Sequence, residues 1–282
     1  VIPYFQRWME QFPTLEALAA AKEEHVLLLW QGLGYYSRAR NLHRAAQKVV
    51  AEFAAQIPAS PVDLLTLPGV GPYSAGAIAS FGFDQPAAAV DANIARVLSR
   101  ISNQQTPIDT TDGTRLVWDL AEALLPKGSG GRLHTSALME LGALVCLPKN
   151  PKCLLCPIRS DCQATEPNSL PRKAPRRKTV SMIEHAFWIL SNGSVLLEQQ
   201  DGKRSRGLWK LPTASRASDF EKPIFKTVYP FTHHQVTLQV HRAPLPQTLS
   251  KNQRWFALST VLDEAPMPSG HRRALDALIA LE

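Results

Sequence analysis

The stretch Leu67-Pro-Gly-Val-Gly-Pro-Tyr-Ser-Ala-Gly-Ala-Ile78 carries the strongest local signal of the fold. Gly69 and Gly71 permit a tight turn between two helices, and Pro72 suits the first turn of the second helix, where its missing N–H costs nothing. Exposed backbone N–H groups at such a turn can bind a phosphate. A plain helix–helix turn has the same pattern. The stretch therefore predicts two joined helices and leaves phosphate binding open.

A carboxylate follows thirteen residues after Ile78, in Val90-Asp-Ala-Asn-Ile-Ala-Arg-Val-Leu-Ser-Arg100. Asp91 stands directly before a helical pattern, which predicts an N-cap. Beside a phosphate-binding turn, the same side chain is also placed to stabilise a cation close to DNA. The spacing alone leaves both roles open.

All four cysteines of the chain fall within seventeen residues, as Cys146, Cys153, Cys156 and Cys162. Four thiolates this close can converge on an iron–sulfur cluster or on a structural zinc ion. Two disulfides are the alternative, but the chain lacks the features of a small secreted disulfide scaffold. The spacing differs both from paired C-x2-C zinc motifs and from ferredoxin runs, which favours a structural centre over an electron carrier.

The 282 residues predict a multi-domain protein with two domains and a connector. Residues 1–163 read as short helices broken by prolines, which predicts an all-α domain. Residues 164–180 form a Pro-rich cationic connector. Residues 181–282 predict a smaller α+β domain, with a β-hairpin at Asn192-Gly193 and a final helix capped by Ser269.

The positive charge is concentrated away from the helical domain. The net charge is +7, and residues 164–180 hold 5 basic residues against 1 acidic, while residues 1–163 hold 14 of each. A basic connector suits a polyanionic partner, although a solvated linker has the same composition. No uncharged apolar run reaches the roughly eighteen residues of a membrane span, and no signal peptide is recognisable.

Taken together, these motifs resemble those of a known family of DNA-repair enzymes. Leu67-Pro-Gly-Val-Gly71, Val90-Asp-Ala-Asn93 and the four-cysteine run are similar to the helix–hairpin–helix, Gly/Pro-Asp superfamily of base-excision glycosylases with an iron–sulfur loop. Trp30-Gln-Gly-Leu-Gly-Tyr-Tyr-Ser-Arg-Ala-Arg-Asn-Leu-His43 resembles a signature of the adenine DNA glycosylase (MutY) family within it. The resemblance covers nearly the whole chain and is strongest over residues 1–163.

The resemblance implies an enzyme that flips adenine out of the duplex when it is mispaired with 8-oxoguanine or guanine. Asp91 would stabilise the oxocarbenium-like sugar as the glycosidic bond breaks, and Asn93 would help hold the carboxylate and the reacting water. Tyr73 would line the adenine side of the site. In the sister family, similar to endonuclease III, this position is a Lys that forms a Schiff base. Because Tyr cannot form one, the resemblance predicts a monofunctional glycosylase.

The resemblance also assigns the contacts to DNA and the cofactor. Tyr35 would be the aromatic wedge beside the orphaned 8-oxoguanine, although a packed core ring is the ordinary role of such a tyrosine. The four cysteines would bind a [4Fe–4S] cluster. Phosphate contacts are expected from Gly69, Val70, Gly71, Lys149 and Lys152.

Residues 181–282 resemble a Nudix-like module that recognises 8-oxoguanine. Gly207-Leu-Trp-Lys-Leu-Pro212 matches its core segment, and Phe231-Thr-His-His234 resembles a Phe-Ser-His loop that senses the oxidised base. Thr232 stands where Ser is usual, and His233 matches the His of that loop. These residues lack a Nudix catalytic box, so diphosphate hydrolysis is not expected.

One departure from the family concerns the general acid. The resemblance places a catalytic Glu on the segment before Val-Ile-Pro-Tyr-Phe5, and Glu10, Glu16 and Glu23 do not match it. We therefore expect this chain as written to release adenine poorly. An endonuclease III-like pyrimidine glycosylase and a non-catalytic lesion-binding module are the alternatives. The resemblance further implies a bacterial-type cytoplasmic, nucleoid-associated monomer that acts on double-stranded DNA and has no membrane partner.

Overall fold

The computed structural model describes residues 2–175, 178–202, 205–214, 222–231 and 233–282. The elements up to residue 169 are helical, and strands begin at Val180. The predicted fold class, an all-α part followed by an α+β part, is confirmed. Within the described residues, no helix is both long and apolar enough to cross a membrane.

Short helices make up the N-terminal half of the chain. The α-helices are α1 (Ile2–Gln11), α2 (Leu15–Ala20), α3 (Glu23–Leu29), α4 (Ser37–Glu52), α5 (Pro61–Leu65), α6 (Pro72–Ala77), α7 (Ala92–Ile101), α8 (Thr111–Ala123) and α9 (Gly131–Glu140). Helices α6 and α9 run on into π-helical turns at Ile78–Gly82 and Leu141–Val145. Single 3-10 turns follow at Cys153–Leu155, Arg159–Asp161 and Pro167–Ser169.

Two small sheets and two helices make up the C-terminal half. The strands are β1 (Val180–Trp188), β2 (Leu190–Ser191), β3 (Ser194–Gln199), β4 (Trp209–Lys210), β5 (Thr213–Ala214), β6 (Phe225–Phe231), β7 (His234–Arg242) and β8 (Gln253–Ala257). One sheet has the order β5-β1-β7-β6, with β1 and β7 parallel. In the other, β3 pairs with β2, β4 and β8. Helices α10 (Val261–Glu264) and α11 (Ser269–Ile279) close the chain.

The local predictions for this half are mostly confirmed. Asn192 and Gly193 have φ of 47° and 69°, the left-handed pair that a tight hairpin requires, and they join β2 to β3. The prediction for Ser269 is wrong. The residue in the N-cap position is Pro268, which is extended and makes no side-chain capping bond, and Ser269 is the first helical residue.

Packing divides the chain into two compact units, Val1–Val50 with Arg177–Glu282 and Ala51–Arg176. In the first unit, Leu208 belongs to the same buried cluster as Phe12, Leu18 and Val26, so helices α1–α4 pack against the C-terminal residues. The helical pattern of residues 1–163 predicts instead that these helices form one domain with residues 51–163. The boundaries 1–163, 164–180 and 181–282 stay a prediction about domains.

The first half of the predicted connector is anchored in the second unit. Leu170 is buried, and its carbonyl accepts a hydrogen bond from Arg100 Nε at 3.1 Å. The Ile108 N–H donates to the Arg172 carbonyl at 3.0 Å, and Asp109 Oδ1 accepts from the Ala174 N–H at 2.8 Å. Residues 170–174 are therefore held against helix α7 and the loop that leads to α8, and are not a freely solvated linker.

Candidate active site

Asp91 caps helix α7 with its side chain, as predicted. Its backbone is extended, with φ −91° and ψ −177°, and its Oδ1 accepts a hydrogen bond from the Ile94 N–H at 2.7 Å. Within the described residues, Oδ2 receives no hydrogen bond. The half-buried carboxylate is thus fixed by one oxygen at the positive end of a ten-residue helix, which stabilises its negative charge, and the other oxygen is available to a second group.

Asn93 is oriented by Arg96, one turn along the same helix. Asn93 Oδ1 accepts from Arg96 Nη2 at 2.9 Å, and the guanidinium also donates to the carbonyls of Gly142 at 2.6 Å and Cys146 at 2.8 Å. A Cβ on Gly142 would lie 2.7 Å from the Asn93 Cβ, so glycine permits this close approach. Because its oxygen is engaged by Arg96, the Asn93 amide has its N–H2 group left to donate.

The turn between α5 and α6 forms largely as predicted. Gly69 has φ of 80°, which favours glycine, and Pro72 is the first residue of α6. Gly71 is extended, with open space at its Cβ position, so backbone conformation does not require glycine there. Gly76 on α6 packs directly on the Ala88 carbonyl, where any Cβ would clash. This contact holds α6 against the segment that leads to Asp91.

Tyr73 lies in the first turn of α6 and is 41% exposed. Its ring is therefore accessible to a ligand.

The predicted phosphate contacts at Gly69, Val70 and Gly71 lie in the preceding turn, where the Val70 N–H already donates to the Leu67 carbonyl at 3.1 Å. That N–H is consequently not free in this structure.

The four cysteines are all unpaired and half-buried. The Cys156 N–H donates to the Cys153 carbonyl at 3.2 Å, so these two residues bracket one 3-10 turn. Four free thiols in one loop are a suitable donor set for an iron–sulfur centre. However, the described residues contain no group of three or more His, Cys, Asp or Glu side chains arranged to hold a metal ion. The four thiols are therefore present as donors, but in this structure they do not converge on one point.

Arg100 binds the start of this cysteine loop from helix α7. Arg100 is 1% exposed, and its guanidinium donates to the Cys146 Sγ at 3.2 Å. Three backbone carbonyls accept its other bonds, those of Leu147 at 2.7 Å, Pro148 at 3.1 Å and Leu170 at 3.1 Å. The Cys162 Sγ in turn contacts the Arg100 carbonyl at 3.6 Å. Helix α7 therefore carries Asp91 at one end and anchors the cysteine loop with the other.

Arg96 and Arg100 were missed as functional residues by the sequence analysis. Burial lowers the pKa of the Arg96 guanidinium, and the nearby Cys146 and Asp91 oppose that shift. The available signal was their spacing of four residues on a helix that also carries Ile94, Val97, Leu98 and Ile101, which predicts two cations on one face of a largely buried helix. Lys149 and Lys152, by contrast, are exposed on the cysteine loop as a DNA contact requires.

Tyr35 lies in the other compact unit, on the turn between α3 and α4. It is 80% exposed and has φ of 47°. The alternative of a packed core ring is therefore wrong. An exposed aromatic side chain on a left-handed turn residue can stack on a base.

Comparison with known proteins shows similarity to DNA-repair proteins over the N-terminal part of the chain. Residues 1–122 match the HhH-GPD superfamily of base excision DNA repair proteins. The adenine DNA glycosylase of Rattus norvegicus is 46% identical over 165 residues, which are 58% of this chain and 32% of that protein. That of Buchnera aphidicola subsp. Baizongia pistaciae is 33% identical over 213 residues, 74% of this chain and 59% of that protein. Over these residues the chain is similar to adenine DNA glycosylases.

A solved structure supports the helical fold. A thermostable thymine-DNA glycosylase superposes with a TM-score of 0.51 and 27% identity, over 57% of this chain and 74% of that chain. The chain spans less than two thirds of the length of both curated adenine DNA glycosylases above.

The predicted lesion-sensing loop lies only partly within the described residues. Thr232 is outside them. His233 is exposed, and its ring packs on His234 with 4.0 Å between centroids. An open depression of about 510 Å³ borders both histidines and Tyr229. It is large enough for a base, but the described part of the loop shows no feature that selects an oxidised one.

A charged cluster lies behind this depression. The Tyr229 hydroxyl donates to Glu184 Oε2 at 2.6 Å, and His271 and Lys210 lie 3.5 and 3.7 Å from the same carboxylate. Burial alone raises the pKa of the Glu184 carboxyl, but His271, Tyr229 and Lys210 outweigh it and lower the pKa to about 2. Glu184 is therefore ionised at neutral pH and fixes the tyrosine that borders the depression.

Proposed function

We propose that this chain is part of an adenine-specific N-glycosylase acting on adenine opposite 8-oxoguanine or guanine in duplex DNA, and that it carries the DNA contacts and the carboxylate that stabilises the sugar cation. The observation that carries the proposal is Asp91, whose Oδ1 is held by the Ile94 N–H while Oδ2 accepts no hydrogen bond from any described residue, in a chain similar to adenine DNA glycosylases. The helix hairpin at residues 61–77 and the exposed lysines of the cysteine loop supply sites for phosphate.

The chemistry assigns separate tasks to three residues. As the bond between sugar and adenine breaks, positive charge develops on the sugar, and the ionised Asp91 carboxylate stabilises it from a preorganised position. The Asn93 N–H2 group, directed by the Arg96 bond to its oxygen, orients the attacking water. Tyr73 offers a ring and a hydroxyl but no amine. The reaction therefore ends at base release, without strand cleavage.

Two other functions compete with this one. An endonuclease III-like pyrimidine glycosylase would use a lysine amine in place of Tyr73. A non-catalytic lesion-binding module would need the DNA contacts but no reactive carboxylate. The free Asp91 oxygen favours an enzyme, and Tyr73 favours a monofunctional one.

We further propose that Cys146, Cys153, Cys156 and Cys162 hold a [4Fe–4S] cluster with a structural role. The four thiols are unpaired, and Arg100 donates to one of them. Such a cluster, when bound, shapes the loop that presents Lys149 and Lys152 to phosphate. Purified protein is expected to be yellow-brown and to contain about four irons per chain by elemental analysis. Stoichiometric zinc without iron would contradict this assignment.

Mispair recognition can be tested by binding alone. We expect the chain to bind a duplex carrying adenine opposite 8-oxoguanine more tightly than the same duplex with adenine opposite guanine, because the C-terminal residues border a depression that can accept the modified base. Affinities measured by fluorescence anisotropy should show the difference shrink when residues 181–282 are deleted. Solubility and circular dichroism of the deleted chain must be checked, because helices α1–α4 pack on those residues. A folded deletion chain with undiminished discrimination would remove the C-terminal residues from mispair recognition.

A further inference from the structure

The turn that presents Tyr35 has an unusual backbone. Gly32, Gly34 and Tyr35 have φ of 96°, 70° and 47°, so three of four consecutive residues are left-handed. Glycine adopts this conformation freely, but for tyrosine it is unfavourable. The Trp30 Nε1–H donates to the Gly34 carbonyl at 2.9 Å and closes the turn from inside. The exposed Tyr35 ring itself requires support from elsewhere to keep its direction.

That support comes from a single peptide segment 231 residues away. The Tyr36 hydroxyl donates to the Met267 carbonyl at 2.7 Å, and Gln31 Oε1 accepts from the Met267 N–H at 3.1 Å. Tyr36 is 8% exposed, and burial raises the pKa of its hydroxyl to about 12, so it remains a donor. The two side chains flank the turn and bind both backbone polar groups of one residue. We call this arrangement the Met267 clamp.

The clamp rests on a rigid base. Met267 is fully buried in the core that packs α11 against the sheets, together with Leu275 and Phe256. The preceding Pro266 carbonyl accepts from the Trp209 N–H at 2.8 Å. The backbone at Met267 is therefore fixed by the C-terminal core, and any movement of the turn must break a clamp bond.

Neighbouring contacts hold the flanking helices α3 and α4 to the same C-terminal residues. The Trp209 Nε1–H donates to Glu24 Oε1 at 3.3 Å, and Arg40 Nη1 donates to the Arg206 carbonyl at 2.8 Å. Arg40 is buried, and burial lowers the pKa of its guanidinium, with Glu23 opposing the shift. These contacts hold the two flanking helices, whereas the Met267 clamp holds the residues directly before and after the turn.

We infer that the C-terminal residues have a second task besides lesion recognition: through the Met267 clamp they position the Tyr35 turn for stacking against a base in the duplex. Gln31 and Tyr36 are positioning residues that act through Tyr35. This inference rests on the proposed function for the role of Tyr35 at DNA. Deleting residues 181–282 would remove both lesion recognition and the support of the Tyr35 turn. Substitutions in the Met267 clamp affect only the support of the turn.

The clamp can be tested without DNA by hydrogen–deuterium exchange and mass spectrometry. Tyr36→Phe and Gln31→Leu each remove one bond of roughly 1 kcal/mol, so amides of residues 31–36 should exchange about fivefold faster. Gln31→Glu keeps an accepting oxygen opposite the Met267 N–H and should exchange at the rate of the parent chain. Peptides from residues 92–101, in the other compact unit, serve as the internal reference. Unchanged exchange at 31–36 in both disrupting variants would overturn the inference.

The effect on DNA can be tested by a double-mutant cycle. The readout is the ratio of affinities for a duplex carrying 8-oxoguanine opposite a non-hydrolysable 2′-fluoro-deoxyadenosine and for the fully paired duplex. Tyr35→Ala should reduce this ratio, and Tyr36→Phe should reduce it by about fivefold, in line with one lost hydrogen bond. In the Tyr35→Ala chain, Tyr36→Phe should change the ratio by less than about twofold, because residues acting through one another are not additive.

The outcomes separate the two proposals. Fully additive losses in the cycle would mean that Tyr36 does not act through Tyr35 and would overturn the inference. A parent chain with no preference for the mispair would contradict the proposed function instead. In that case the exchange experiment still decides whether the clamp positions the turn.

Discussion

Asp91→Asn is expected to reduce adenine release by about three orders of magnitude, because it removes the charge that stabilises the sugar cation. Asn is also a good N-cap, so the bond to the Ile94 N–H and helix α7 should survive. The loss should therefore appear in the rate of the chemical step and not in stability. Single-turnover release from a mispaired duplex measures that rate.

Two controls make this result interpretable. DNA affinity should stay within about twofold of the parent, because phosphate contacts come from other residues. The assay should use the chain as it stands and the chain extended upstream of Val1 by the segment to which the family resemblance assigns the general acid, which is worth roughly 10²–10⁴-fold. Release by Asp91→Asn within tenfold of its parent would show that another residue carries the charge.

Arg100→Met is expected to cause the largest loss of stability, about 3–5 kcal/mol in the free energy of unfolding. The Met side chain is similar in length to that of Arg but cannot donate a hydrogen bond. The carbonyls of Leu147, Pro148 and Leu170 and the Cys146 sulfur would therefore all lose their hydrogen-bond donor. The loop that carries the four cysteines would separate from helix α7. Urea unfolding followed by circular dichroism measures the change, and iron content should fall with it.

A matched arginine on the next helix serves as control. Arg115 is 67% exposed and pairs with Asp112 at 3.3 Å across one helical turn. Such an exposed pair contributes little, so Arg115→Met should change stability by less than about 0.5 kcal/mol. Equal losses from Arg100→Met and Arg115→Met would mean that the Arg100 contacts do not anchor the cysteine loop.

The sequence predicted those features that depend on a few neighbouring residues. The Asp91 cap, Pro72 at the start of α6 and the hairpin at Asn192-Gly193 all follow from local conformational preferences. The prediction failed at Ser269, because Ser is common both at N-caps and inside the first turn and Pro268 already supplies the extended residue before α11.

Contacts between residues far apart in the sequence could not be predicted from these local conformational preferences. Arg100 finds its carbonyl partners 47 to 70 residues away, and Tyr36 finds Met267 after 231 residues. No spacing rule relates such positions in a single sequence. For the same reason, the packing of helices α1–α4 on Leu208 could not be predicted, whereas the apolar faces that take part in it could.

The central claim is that this chain belongs to an enzyme that releases adenine from a mispair without cutting the strand. Mass spectrometry of the products from a duplex with adenine opposite 8-oxoguanine, beside one with an oxidised thymine, tests it most directly. For the upstream-extended chain we predict free adenine and an intact sugar–phosphate strand from the first duplex, no release from the second, and loss of adenine release in Asp91→Asn. Release of the oxidised pyrimidine with strand cleavage, or no adenine from the upstream-extended chain, would contradict it.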